Sequence, residues 1–103
     1  MAYFTSWRFR PALGREDEFL ATHGPTGAWV QLFRRADGYV GTELEPDAGE
    51  PGWYRTTDRW LSEDAYHAFR AAFAGEYAAL DAQCEALTAE ERFVRATLYA
   101  RLG

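Results

Sequence analysis

Residues 53–73 read WYRTTDRWLSEDAYHAFRAAF, and within this stretch the spacing of the large side chains changes. Up to Trp60 it is every second residue. Tyr54, Thr56, Asp58 and Trp60 fall on one side and Trp53, Arg55, Thr57 and Arg59 on the other, which predicts a strand over 53–60. From Ser62 it is every third or fourth residue: Tyr66, Phe69, Phe73, Tyr77, Leu80, Cys84 and Leu87 make one apolar stripe. That spacing predicts a helix over 62–87, about 35 Å long at the usual rise per residue. Ser62 is placed to cap it, and Glu63 and Asp64 suit the positive end of a helix. Asp58 and Ser62 are read as organising the corner between the two elements, with Trp60, Tyr66 and Phe69 packing it.

The rest of the chain supplies partners for this corner. Residues 2–10 alternate Tyr3, Thr5, Trp7 and Phe9 against Phe4, Ser6, Arg8 and Arg10, a strand ended by Pro11 and Gly14. Glu16, Asp17 and Glu18 open a helix carrying Phe19, Leu20 and His23, which Gly24 and Pro25 break. Thr26 is read as the cap of a second short helix with Trp29, Val30, Leu32 and Phe33 on its apolar face, stopping at Gly38. Gly38 to Glu45 alternates again, Val40, Thr42 and Leu44 against Tyr39, Gly41 and Glu43, and the loop PDAGEPG joins it to the strand ending at Trp60. Thr88 to Arg92 reads as a polar connection and Phe93 to Leu102 as the last strand. The order β-α-α-β-β-α-β defines an α+β fold, a ferredoxin-like β-α-β-β-α-β sandwich with a four-stranded antiparallel sheet covered by helices on one face.

At 103 residues the chain fits a single domain spanning 1–103, and 48% hydrophobic with 17% aromatic content belongs to a packed globular protein. A net charge of −5 argues against nucleic acid as a partner, since phosphate binding rests on an excess of basic residues. All eleven basic residues are arginine, and lysine, asparagine and isoleucine are absent, a pattern of coding bias in a GC-rich genome. The lone Cys84 has no partner for a disulfide or a zinc motif and is read as buried and inert, and a cytoplasmic location is expected. No membrane span or signal peptide is read from the sequence. The uncovered sheet face, with aromatics and arginines interspersed, is expected to be an apolar patch closed by a second copy in a two-fold homodimer.

Three stretches, WRFRPALGREDEF, GAWVQLFRRADGYVGTEL and YRTTDRWLSEDAYHAF followed by EYAALDAQCEAL, resemble the antibiotic biosynthesis monooxygenase family of dimeric α+β barrels. The likeness runs from about Trp7 to Leu87. It implies a dimer with one pocket per subunit, between sheet and helices. It also implies oxidation of a hydrophobic aromatic, polyketide-like molecule by oxygen without cofactor or metal. Other members degrade haem. Two departures bear on this: the oxygenases and haem degraders place an asparagine near the reacting centre, where this chain has none, and Phe69 and Arg70 stand where haem degraders carry an iron-ligating histidine. Haem degradation is disfavoured accordingly.

Within that pocket, Trp60 has two readings, a wall that stacks on an aromatic substrate and a core residue under the helix. Trp29, Phe33 and Tyr66 are expected to complete the aromatic cage, with Phe69 a further substrate-binding residue. Tyr66 belongs to the stripe and can offer a hydroxyl. His67, one residue off the stripe, could take a proton from a phenol or carbon acid. His23 is read first as bonding the terminal carbonyls of its helix and second as the other available base. Arg59 could steer a phenolate or pair with Glu43. No GxSxG, phosphate loop, dinucleotide fingerprint or metal cluster is present, so no cofactor is expected. The alternative to an enzyme is a non-catalytic small-molecule-binding or scaffold protein of the same fold.

Overall fold

The computed structural model describes residues 2–99. Four strands, β1 (Ala2–Pro11), β2 (Tyr39–Pro46), β3 (Tyr54–Trp60) and β4 (Thr88–Tyr99), form one antiparallel sheet in the order β2-β3-β1-β4. Helices α1 (Glu16–His23), α2 (Ala28–Phe33), α3 (Glu63–Ala72) and α4 (Ala74–Cys84) complete the α+β sandwich, and a tight 3-10 turn, Glu85–Leu87, leads into β4. Among the described residues no helix is long and apolar enough to cross a membrane.

The first and third strands keep the alternation read from their sequences. Tyr3, Thr5, Trp7 and Phe9 pair with Trp60, Asp58, Thr56 and Tyr54, so these eight side chains share the helix-covered face. In β2 the alternation fails. The register slips between Tyr39 and Gly41, Val40 turns out to solvent at 56% exposure, and Tyr39 packs its ring 5.3 Å from Trp60. A bulge of this kind adds one residue and moves everything before it to the opposite face. A second slip, between Ser6 and Trp7 against β4, accompanies a β4 longer than expected: the segment 88–92, read as a connection, is already strand. Residues 100–102 of the expected final strand lie outside the described residues.

The long helix bends at one residue. Phe73 departs from helical geometry (φ −113°, ψ 26°), although its N–H still reaches Phe69 O and its carbonyl accepts from Tyr77 N. Hydrogen bonding thus passes through the bend, and α3 and α4 share the apolar stripe. Ser62 caps α3 through a 3.0 Å bond from Ala65 N to its Oγ. Ser62→Ala is therefore expected to cost about 1 kcal/mol, read as a lower urea midpoint with an unchanged slope; an unchanged midpoint would remove the cap from the account. Thr26 does not cap α2: Gly27 holds that position, because a Cβ there would sit 2.2 Å from Thr22 O, so only glycine lets α2 start this close to the end of α1.

Tyr3, Leu32, Phe33, Trp60 and Phe69 form the centre of the core. The far face of the sheet corrects the expectation of an apolar patch. Its aromatics are roofed by arginines, with Trp53 between Arg8 (4.8 Å) and Arg92 (5.2 Å), and Arg59 over Phe4 (5.6 Å). Arg8 bonds Asp47 and Glu50 at 3.0 and 3.2 Å, Arg10 bonds Glu90 at 2.8 Å, and Arg59 bonds Glu43. The arginines read as steering or interface groups are paired within the chain.

Candidate functional site

Between the inner sheet face and helices α1, α2 and α4 lies a cavity of about 200 Å³. Five aromatic side chains stand in its wall: Trp7 and Phe9 from β1, Trp29 and Phe33 from α2, and Tyr77 from α4. Trp29 meets Tyr77 edge-on at 5.0 Å and lies 5.9 Å from Phe33. Such packing holds the rings at fixed angles before anything binds. Cys84 closes one side, its thiol pushed up in pKa by burial. The start of β4 forms part of the rim with Glu90 and Glu91.

His23 enters this cavity from the last position of α1, 6% exposed. Its ring stacks on Phe19 at 4.2 Å and lies 5.0 Å from Phe9. Nδ1 is 3.0 Å from the Phe19 carbonyl oxygen, an acceptor, so Nδ1 carries the proton and donates it. Nε2 is left as a lone pair that no group among the described residues bonds. Burial lowers the pKa of the ring and so favours its neutral form, an effect the Phe19 bond opposes only in part. The carbonyl bond read from the sequence is present on Nδ1, to Phe19 of its own helix, and it leaves Nε2 unengaged.

The sequence places Asp58 at a corner and assigns it no part in the pocket. Its inward register on β3 instead sets it in the cavity wall, 8% exposed. Thr42 Oγ1 donates to Oδ1 at 2.7 Å and Thr5 Oγ1 to Oδ2 at 3.4 Å, while Tyr39 Oη lies 2.6 Å from Thr42 Oγ1. Among the described residues no arginine pairs with it. Burial therefore dominates the two hydroxyl bonds, and its pKa is raised from 3.8 to about 6. The signal is present in the sequence: a lone acid alternating in phase with Thr56 and Trp60 on an inward strand face.

The other expected site residues are dispersed. Trp29 and Phe33 line the cavity; Trp60 and Phe69 sit beside it in the core, at 1% and 2% exposure. Tyr66 packs on Tyr3 and Trp60, and its hydroxyl accepts from Arg70 at 2.9 Å, outside the cavity lining. His67, one step around the helix from the stripe, points to solvent with 60% of its side chain exposed and meets Glu63 at 3.3 Å. Arg59 lies on the opposite side of the sheet.

No protein-family model matches the sequence, and no curated protein matches it. Solved structures do match. SnoaB from Streptomyces nogalater, a cofactor-independent oxygenase, superposes with a TM-score of 0.72 at 19% identity, covering 98% of this chain and 95% of that one. Rv0793 from Mycobacterium tuberculosis gives 0.68 at 21% identity over 100% and 97% of the two chains. A candidate antibiotic biosynthesis monooxygenase from Deinococcus radiodurans gives 0.68 at 19% identity over 97% and 94%. The chain thus has the fold of the antibiotic biosynthesis monooxygenase-like proteins. A NIPSNAP family protein from Agrobacterium tumefaciens shares it too, at a TM-score of 0.66 and 14% identity, so the fold by itself assigns no chemistry.

Proposed function

We propose that the protein is a cytoplasmic, cofactor-independent oxygenase of the antibiotic biosynthesis monooxygenase type, acting on a hydrophobic aromatic molecule held in the helix-sheet cavity. The observation that carries this reading is the free Nε2 lone pair of a buried, neutral His23 inside an aromatic wall. For an anthrone-like methylene flanked by aromatic rings, Nε2 takes one C–H proton, and Trp29 and Phe33 hold the flat carbanion. The carbanion passes an electron to dioxygen and the resulting radicals join as a C–O bond. The peroxide takes up a proton. Loss of the second C–H proton then expels hydroxide, which is protonated to water. One oxygen atom ends in the ketone and the other in water, so the atoms and electrons balance.

Anthrone with an oxygen electrode tests this directly. Oxygen uptake with formation of anthraquinone is expected well above the spontaneous rate, with His23→Phe lowering kcat about a hundredfold and His67→Phe leaving it unchanged. Uptake no faster than in buffer would sink the reading. The volume of about 200 Å³, below the range of common ligand pockets, favours the non-catalytic alternative, a binding module for a small aromatic. Binding without oxygen uptake identifies that case.

The same proposal includes a homodimer through the uncovered sheet face. Its arginines and carboxylates (Arg8, Arg55, Arg59 with Glu43, Asp47, Glu50) form ion pairs within the chain, and with both signs on one face a second copy related by a two-fold axis can share them without like-charge repulsion. Light scattering is expected to give twice 11.7 kDa, falling toward the single-chain mass in high salt; a single-chain mass at every ionic strength would remove the dimer.

A further inference from the structure

Four acidic residues stand around the cavity, Asp58 in its wall and Glu85, Glu90 and Glu91 nearer the rim, with the Glu90 carboxylate turned to Arg10 on the far face of the sheet; among the described residues no arginine lines it. Only Glu90 is neutralised, by Arg10 at 2.8 Å and Arg92 at 3.4 Å. The other three have no arginine partner among the described residues. A ligand in this space meets the rings of Trp7, Phe9, Trp29, Phe33 and Tyr77, neutral hydroxyls of Thr42, Thr56 and Thr88, and no charged group of the lining that is positive by ordinary pKa. Asp58 also has capacity to spare. A carboxylate offers about four lone-pair sites, and Thr5 and Thr42 fill one on each oxygen. Buried acceptors normally find donors, because an unfilled one costs free energy. A donor brought by a ligand would add to these two hydroxyls, as a charge-assisted bond to an ionised oxygen of a residue only 8% exposed.

We propose that the cavity selects an uncharged aromatic compound that donates an O–H or N–H hydrogen to Asp58, and that it excludes aromatic anions. This deepens the oxygenase reading and rests on the same cavity, but it concerns binding alone and is read without turnover. Aromatic acids pay twice here: their charge faces Asp58, Glu85 and Glu91, and they bring no proton for Asp58. Neutral phenols avoid both penalties.

Three naphthalene probes separate these terms by calorimetric titration near neutral pH. The first, 2-naphthol, carries a donor; 2-methoxynaphthalene keeps the oxygen and loses the donor; 2-naphthoate is an anion. Naphthol is expected to bind about tenfold or more tighter than its methyl ether and than naphthoate. In Asp58→Asn the preference over the ether should shrink to within about threefold. In Glu91→Gln, at the rim, naphthoate should gain affinity while naphthol does not change. Naphthoate binding as tightly as naphthol, or a naphthol-to-ether ratio identical in wild type and Asp58→Asn, overturns the inference and leaves the oxygenase reading standing. If the ratios hold while anthrone is not oxidised, selectivity stands and the activity falls. No binding by any probe overturns both.

Discussion

Asp58→Asn is expected to stabilise the protein by about 3 kcal/mol at alkaline pH and by nothing measurable below the pKa of an ordinary carboxylate. Folding lifts the Asp58 pKa from 3.8 to about 6, through burial that two hydroxyl donors only partly offset. A carboxyl whose pKa rises on folding destabilises the folded chain once it ionises. Its contribution is intact below 3.8, fades as the pH rises through about 6, and is then fully lost. Each tenfold change in acidity is worth about 1.4 kcal/mol, so a rise of this size makes the loss about 3 kcal/mol. Asparagine has nearly the same shape, accepts from Thr42 and can donate to Thr5 Oγ1, and never ionises. His23 adds the opposite slope: its pKa falls on folding, so its contribution is present above the ordinary histidine value and lost as the pH drops through the lowered one. That limb is common to wild type and variant and cancels in their difference. Urea unfolding across the pH range, compared between the two proteins, isolates Asp58. A difference that stays flat with pH would mean that Asp58 is not ionising in a buried place.

A residue that weakens the fold at working pH, with no arginine to compensate, is the kind found at functional sites, where stability is given up for chemistry or binding. Its strand position was legible because the strand containing it keeps strict alternation. Its role was not, since a single acid between Thr57 and Arg59 looks like one half of a surface pair, and burial depends on α2 and α4 closing over it from elsewhere in the chain. The same limit explains the far face. Trp53 reads as an exposed aromatic until Arg8 and Arg92, contributed by β1 and β4, are brought over its ring. Local patterns carried the helix stripe, the Ser62 cap and the succession of strands and helices along the chain. They did not carry the bulge at Val40, which turns Tyr39 inward beside Trp60, because a one-residue insertion leaves the alternation on each side of it intact. His67 shows the sensitivity of helical phase: one step from Tyr66 is enough to move a ring from half-buried packing to solvent.

Trp60 decides between its two readings through a pair of substitutions. It is 1% exposed and its ring lies 5.7 Å from Phe33, 5.3 Å from Tyr39, 5.7 Å from Tyr66 and 5.0 Å from Phe69, so it joins helix α2, strand β2 and helix α3 in one cluster. Trp60→Ala would leave a large void among rings that cannot collapse onto it, at a cost of about 3–5 kcal/mol. Against a typical domain stability of about 5–15 kcal/mol that is a large share, and the melting temperature should fall by at least about 12 °C. Trp60→Phe should behave differently. The indole Nε1 is buried without a hydrogen-bond partner, so exchanging indole for phenyl removes an unsatisfied donor along with some packing. A loss of only about 1–2 kcal/mol is expected. Since Trp60 is not among the residues lining the cavity, the phenylalanine variant should bind 2-naphthol as the wild type does. A well-folded Trp60→Phe protein that no longer binds it would return Trp60 to the substrate wall; a Trp60→Ala protein melting within a few degrees of wild type would remove it from the core.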